Sequence, residues 1–341
     1  MSPTFPPAAP PTSPGIPREA RPQSRLRAVY WLVSLLIAAG LLFYSLRGIE
    51  WARVGQIFLT VRAPWIAAAC GICVFAMFLR AVRWRILLTA EGEVPVATAF
   101  WATAAGYFGN NFLPARGGEL VRVFMISARS TLSKAYVLTT ALSERMADVI
   151  ALLTISATIL LTLKVKPGWF GQAARPFAIL ALCGVLSIAL LPRFDSFWHA
   201  ILRRLPCSDG LRLKLRHVLE QVLLGIRSFH DPGRLLRFFS LTVVIWFCDG
   251  MFTIFGAKAI GLSLSLPVAL LLITGLGLGS ALPSTPGYVG IYQFVAVSVL
   301  VPFGFSRTDA IGYILLAQAL QYVIITVVGL IGFWQYRRMR N

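Results

Sequence analysis

Three short stretches of this sequence carry residue types able to hold a charged group, and long apolar runs flank each of them. The first is Asn110-Asn111-Phe112-Leu113-Pro114-Ala115-Arg116-Gly117-Gly118-Glu119-Leu120-Val121-Arg122. Pro114 ends a helix, Gly117 and Gly118 permit close backbone approach, and a new helix is predicted to start near Glu119. A helix start leaves N–H groups free and presents a positive dipole end, which attracts phosphate. Arg116 and Arg122 add forked donors suited to phosphate oxygens. Asn110, Asn111, Arg116, Gly118, Glu119 and Arg122 are the candidate contacts here. Glu119 and Arg122 are also i,i+3 neighbours, so an interfacial ion pair is the alternative use.

The second stretch is Ser143-Glu144-Arg145-Met146-Ala147-Asp148, at the start of a long apolar helix. Glu144 and Asp148 share one helical face, with Arg145 three residues before Asp148. A carboxylate near the bilayer centre costs about 2.5–3.5 kcal/mol on the insertion scale. Two of them with one arginine call for a partnered network facing the protein interior, and Arg116 or Arg122 can supply the partner. Glu144 then contacts a headgroup amine or clamps those arginines; pure scaffolding is the competing use. The third stretch, Leu282-Pro283-Ser284-Thr285-Pro286-Gly287-Tyr288-Val289-Gly290, has no formal charge. Ser284, Thr285 and Gly287 offer hydroxyls and backbone to a headgroup, and the prolines suit a hinge. Tyr292, Gln293, Gln318 and Gln321 add polar groups on the helices that follow. Asp249 must find a donor, Lys258 can snorkel, and Arg80, Arg83 and Arg85 look like anchors at a span's inner end.

Catalytic and metal patterns are not evident. His199, His217 and His230 all fall in a basic segment outside the apolar blocks, and there is no P-loop or Asp-rich metal–phosphate motif. The Cys70–Cys73 spacing fits a redox or metal site, yet no second ligand pair accompanies it, so both are taken as small buried hydrophobes. No cofactor and no metal are expected.

The elements that must position these groups are membrane helices. The chain has 341 residues, 57% hydrophobic and only 13% charged, against the quarter or so of charged residues that coats a soluble domain. Its net charge of +19 does not indicate nucleic acid, because the Lys and Arg residues lie between apolar blocks where anionic headgroups are the partners. Residues 1–24 carry eight prolines, and a disordered cytoplasmic tail is expected over 1–27. Arg25 and Arg27 then precede a 19-residue apolar run from Ala28 to Leu46, read as an uncleaved first span. Further spans are predicted at about 64–80, 135–163, 176–192, 238–260 and 310–334 within a membrane domain over 28–336.

Two more apolar stretches, about 94–113 and 267–303, are broken by Gly and Pro, and both are predicted to be re-entrant helical hairpins. Gly106, Pro114, Gly275, Pro283 and Pro286 are the candidate hinge positions. At a constant offset of 169, Gly106 meets Gly275, Leu113 meets Leu282, Pro114 meets Pro283 and Gly118 meets Gly287. The expected fold is therefore an all-α polytopic membrane protein of about six spans and two hairpins, with an inverted repeat as the explanation of the offset. Ordinary Gly-Pro kinks in packed helices are the alternative. Nine Lys or Arg in the segment 193–237, read as basic amphipathic helices on anionic lipid, place it in the cytoplasm with the basic tail 337–341 and the N-terminus. Arg47, Arg53 and Arg62 fall on the opposite side, which an interfacial helix over 49–62 would explain.

The motifs N-N-x-L-P-x-R-G-G-E-x-x-R at 110–122, S-E-R-x-x-D at 143–148 and L-P-S-T-P-G-x-x-G at 282–290 resemble the transmembrane region of lysylphosphatidylglycerol synthases. That family includes standalone proteins labelled flippase-like, and the likeness spans residues 28–336. It implies a multi-pass bacterial or archaeal plasma-membrane protein, and in two-domain relatives this region is thought to carry an aminoacylated phospholipid to the outer leaflet. It also implies that Arg116, Glu119, Arg122, Glu144, Arg145 and Asp148 are functional. The chain stops at Asn341 without the aminoacyl-transferase domain of those relatives, so aminoacylation is not expected. A lipid flippase is the first expectation. The alternatives are an integral-membrane transferase on a lipid phosphate, with Glu144 or Asp148 as base, and a non-catalytic accessory subunit of lipid or hopanoid synthesis. The expected partners are a membrane phospholipid or polyprenyl-linked lipid and an anionic lipid surface, with a homodimer left open and nucleic acid excluded.

Overall fold

The computed structural model describes residues 23–113, 117–162, 170–190, 210, 213, 215–216, 219–220, 229, 231–280 and 286–338. Among them every regular element is a helix. In chain order these are α1 (Gln23–Leu46), α2 (Trp51–Leu59), α3 (Ala63–Leu88), α4 (Val96–Phe112), α5 (Gly118–Ser127), α6 (Lys134–Thr162) and α7 (Phe170–Leu190). Then come α8 (Pro232–Ala259), α9 (Leu266–Gly279), α10 (Ile291–Leu300) and α11 (Arg307–Arg338), with 3-10 turns at Pro286–Tyr288 and Val301–Phe303. Local chemistry sets several starts. Pro64 and Pro267 lie in the first turns of α3 and α9, where a missing N–H costs nothing. Asp231 caps α8 by accepting from the Arg234 N–H at 2.6 Å.

Four helices, α3, α6, α8 and α11, are long and apolar enough to cross a membrane. The pair α1 and α2 makes a fifth if its two limbs, bent by 86°, are counted as one span. The expected six spans are thus four or five among the described residues, because α7 has an apolar part of only Arg175–Leu186 there. A helix is anticipated over 49–62, and α2 fills Trp51–Leu59: it lies across the start of α11, with Val54 buried and Arg53 paired to Asp309 at 3.1 Å.

α3 and α8 pack along their whole lengths, running in opposite directions. At one end the Arg62 N–H donates to the Ala259 carbonyl at 2.9 Å and Trp65 meets Phe255. In the middle Arg80 pairs with Asp249, and at the other end Arg83 lies over Phe238. The two helices start at residues 63 and 232, which the 169-residue offset relates, and the same offset carries α4, α5 and α6 onto α9, α10 and α11 within a few residues. The packing repeats too: α4 lies on α11 and α9 lies on α6, while each hairpin packs on its own repeat's last helix. Equivalent helices in antiparallel contact make the two halves an inverted repeat. Each half is a long helix, a helical hairpin and a second long helix.

The first hairpin's limbs end at Phe112 and resume at Gly118, and the second's end at Gly279 and resume at Ile291. Their glycines do different work from the helix breaking expected of them. α4 runs unbroken through Gly106 and Gly109, and α9 through Gly275. A methyl group on Gly109 would come within 2.8 Å of the Gly118 Cα, and one on Gly275 within 2.7 Å of Val295. These residues let the two limbs of each hairpin touch. Gly287 is different: its φ of 82° lies in the left-handed region, where Cβ-bearing residues are disfavoured.

Three predicted boundaries shift. α1 begins at Gln23, inside the anticipated tail, because Arg25 and Arg27 are good helix formers that extend the span toward the headgroup layer. Residues 232–237, assigned to the basic segment, open α8 behind its Asp231 cap. Arg337 and Arg338 end α11 rather than begin a tail, as cations suit a helix C-terminus. Residues 1–22 and most of 191–230 lie outside the described residues.

Candidate functional site

The second charged stretch and part of the first converge where α3, α5 and α6 meet. Glu144 and Asp148, one turn apart on α6, point at Arg83 of α3. Arg83 donates to both Asp148 oxygens at 2.6 and 3.0 Å and to Glu144 Oε1 at 3.0 Å. Arg122 of α5 donates to Glu144 Oε2 at 2.6 Å, lies 3.3 Å from Glu119, and stacks on the Trp84 ring at 3.8 Å. Arg145 donates to Glu119 at 3.0 Å and approaches Asp148 at 3.7 Å. The six side chains close a ring of alternating sign, Arg83–Glu144–Arg122–Glu119–Arg145–Asp148.

Three arginines and three carboxylates leave that ring with no net charge. Arg83, Arg122 and Glu144 are at most 2% exposed. Mutual pairing is what makes such burial tolerable, since removing either partner would strand a charge in a low-dielectric interior. Arg83, read from sequence as an interfacial anchor, is instead the hub that ties α6 to α3. Its spacing from the inner end of the span suggested the anchor, and only the fold reveals the two carboxylates facing it.

Beside the ring lies a cavity of about 230 Å³ at the junction of the two repeats. Its polar wall is Arg80, Asp249, Arg145, Tyr107, Gln318 and Gln321. Arg80 and Asp249 form an ion pair whose side chains are 18% and 19% exposed. Two donors there have no hydrogen-bond acceptor among the described residues: Arg145 Nη2 and Trp246 Nε1, the latter on a side chain only 8% exposed. Buried donors of this kind are rare without a partner, and both belong to residues that line the cavity. The arrangement can receive an oxyanion of headgroup size. At about 230 Å³ the cavity is smaller than the roughly 300–1,000 Å³ typical of drug-sized sites.

The remaining sequence-predicted residues separate into three groups. Asn110 donates to Glu119 at 3.4 Å, beside the ring, while Asn111 is half-buried at the end of α4. Gly118 packs on Gly106 and Asn110. The Gly287 carbonyl accepts from Gln318 at 3.1 Å, and Gln318 accepts from Gln293 at 2.6 Å, which ties the second hairpin's tip to α11. Pro286 opens the 3-10 turn at that tip. Pro114, Arg116, Pro283, Ser284 and Thr285 lie outside the described residues. The structure thus gathers Glu119, Arg122, Glu144, Arg145 and Asp148, and of these only Arg145 also lines the cavity.

Sequence reasoning passed over Tyr107 and Trp246 and read Arg80 as an anchor, where it instead pairs with Asp249 in the cavity wall. A signal for Arg80 was present: Asp249 needed a donor, and Arg80 stands at the 169-residue offset from it.

The sequence pattern of a family described as the lysylphosphatidylglycerol synthase TM region matches residues 31–329. Glycosyltransferase AglD of Haloferax volcanii is 25% identical over 305 residues, covering 78% of this chain and 48% of its own length. The chain therefore spans about half the length of that relative. No solved structure matches.

Proposed function

Taking as premise that the chain belongs to the lysylphosphatidylglycerol synthase TM region family, we propose that it is a flippase for a phospholipid or lipid-linked anion. The observation that carries this reading is the cavity where the repeats cross, lined by Arg80, Arg145 and Trp246. Inverted-repeat transporters hold substrate at such a junction and expose it to each side by rocking one half on the other. A phosphodiester seated there would accept from the Arg80 and Arg145 guanidinium groups, with Gln318 and Gln321 completing its hydrogen bonds. Arg116, Ser284 and Thr285 are proposed to meet the headgroup on its way in or out.

The second reading is a membrane transferase, favoured by the name of the Haloferax relative. Its base would be Glu144 or Asp148. Each of these is already ion-paired with guanidinium groups on both sides in the ring, which supports a structural use over proton abstraction. For localisation we propose a plasma membrane with both termini cytoplasmic. The end of α11 and the start of α8 lie at the same end of the molecule and carry Arg337, Arg338, Arg234 and Arg237, in keeping with the positive-inside rule.

The test is full-length protein in vesicles carrying fluorescent phosphatidylglycerol, with leaflet accessibility read by dithionite quenching. Flipping without change in lipid mass is expected, and Arg145→Gln should slow it at least about tenfold, the loss of one strong charge-assisted contact. New covalent lipid products on mass spectrometry, with no change in accessibility, would transfer the assignment to the transferase.

A further inference from the structure

Asp249 is the only carboxylate among the described residues lining the cavity, and its partner is the residue related to it by the repeat. Residues that are equivalent in two halves can touch only on the axis relating those halves. A point on that axis keeps its position when the halves exchange conformations, so it faces each side of the membrane in turn. Arg80 and Asp249 occupy that point, on the pair of helices that pack most extensively in the molecule.

Resting on the transport reading above, we propose that Asp249 carries a proton that travels with each anionic phospholipid. The phosphodiester takes the place of the Asp249 carboxylate on Arg80. Freed of its cation, the carboxylate takes up one proton from the side to which the cavity is open. Arg80 is then neutralised by phosphate and Asp249 by its proton, so the loaded cavity has the same net charge as the empty one. Binding phosphate without the proton would leave an extra negative charge in a low-dielectric site, which is strongly unfavourable. The headgroup and the proton are released together on the far side, and the Arg80–Asp249 pair re-forms.

The groups around Asp249 suit this exchange. α3 presents Cys73 and Arg80, and α4 presents Tyr107. α6 presents Arg145 to the cavity, with Asp148 and its ring partner Arg83 behind it. α10 and α11 present Tyr292 and Tyr313, α9 presents only Ile273, Leu276 and Gly277, and on its own helix Asp249 is next to Cys248. Asp148 is occupied by Arg83, so no other carboxylate in the group competes for the proton.

The experiment uses the full chain in phosphatidylcholine vesicles containing fluorescent phosphatidylglycerol, with a pH-sensitive dye inside and protein-free vesicles as the blank. Inward lipid movement is expected to acidify the interior, and an acidic outside should accelerate it several-fold. Asp249→Asn should lose both the acidification and the response to the gradient, and Asp249→Glu should restore them. Lipid movement by the wild type that leaves interior pH flat and ignores the gradient overturns the proton coupling while transport stands. Absence of any lipid movement by the wild type overturns transport and coupling together. If Asp249→Asn does not elute as a folded species, the wild-type gradient measurement decides alone.

Discussion

Replacing Glu144 by Gln tests whether the buried ring holds the fold together. Glu144 is 2% exposed and accepts from Arg83 at 3.0 Å and Arg122 at 2.6 Å. Gln keeps the shape, but it removes the charge and turns an amide N–H₂ toward one of the two guanidinium groups. The ring would go from neutral to a buried excess of one positive charge. Removing one partner of a buried ion pair costs about 3–5 kcal/mol. Two charge-assisted hydrogen bonds at about 1.5–3 kcal/mol each give a similar range. The expected loss of about 3–5 kcal/mol is a roughly 10²–10⁴-fold fall in the folded-to-unfolded ratio. Equilibrium unfolding in mixed SDS–detergent micelles, followed by tryptophan fluorescence, measures it. Arg122→Gln should cost a similar amount with the opposite charge imbalance. The double variant leaves Arg83, Arg145, Asp148 and Glu119 in balance, so it should be less damaging than the sum of the singles by about 1–3 kcal/mol. Strict additivity, or a Glu144→Gln loss within about 0.5 kcal/mol of zero, would refute the ring as a structural clamp.

Three further outcomes are expected. Gly118→Ala would press a methyl group into the Gly106 carbonyl and the Asn110 backbone, costing at least about 1–3 kcal/mol. Gly71→Ala, which meets nothing within 4 Å on α3, should be neutral or stabilising by up to about 1 kcal/mol; thermal unfolding compares the two. Gln318→Leu leaves the Gln293 amide and the Gly287 carbonyl without their partners. It should speed amide exchange around residues 286–293, read by deuterium uptake in detergent. Arg53→Gln removes an ion pair whose arginine is half exposed, so its effect on stability should stay within about 1 kcal/mol.

The membrane class and the short helix before α3 were legible because apolar run length is a local property of the chain; the hairpins were only partly so, since the glycines read as breaks lie inside unbroken helices and the first hairpin extends past 113 to Ser127. The pairing of charges was not. Arg83 stands at the inner end of an apolar run, where positive-inside anchoring is the ordinary use of arginine, and its carboxylates lie 61 and 65 residues away. Glu119 and Arg122 could be read as an i,i+3 pair, and they are one. Their further links to Glu144 and Arg145 needed α5 to fold back against α6. The cavity was less accessible still, since its polar residues come from six different helices and only Arg145 belongs to one of the quoted motifs.

The repeat itself shows why so few residues matched at the 169-residue offset. The six ring positions correspond in the second half to Phe252, Tyr288, Ile291, Tyr313, Ile314 and Ala317. Four of these, Phe252, Tyr313, Ile314 and Ala317, line the cavity. The same place in the two halves is therefore filled by paired charge in one and left as open, mainly apolar wall in the other. Backbone geometry demands glycine where the hairpin limbs touch, at Gly106, Gly118 and Gly275, and at Gly287 with its positive φ, so those residues persist as matches. The side chains at the equivalent sites serve opposite purposes, clamping in one half and leaving room in the other. A pattern search on side-chain type was bound to miss that relation, and the antiparallel contact of α3 with α8 was needed to see it. The offset falls on Arg80 and Asp249 with a change of sign, and two like residues there would repel or leave the axis unpaired. That divergence lets the halves join through an ion pair at their common axis.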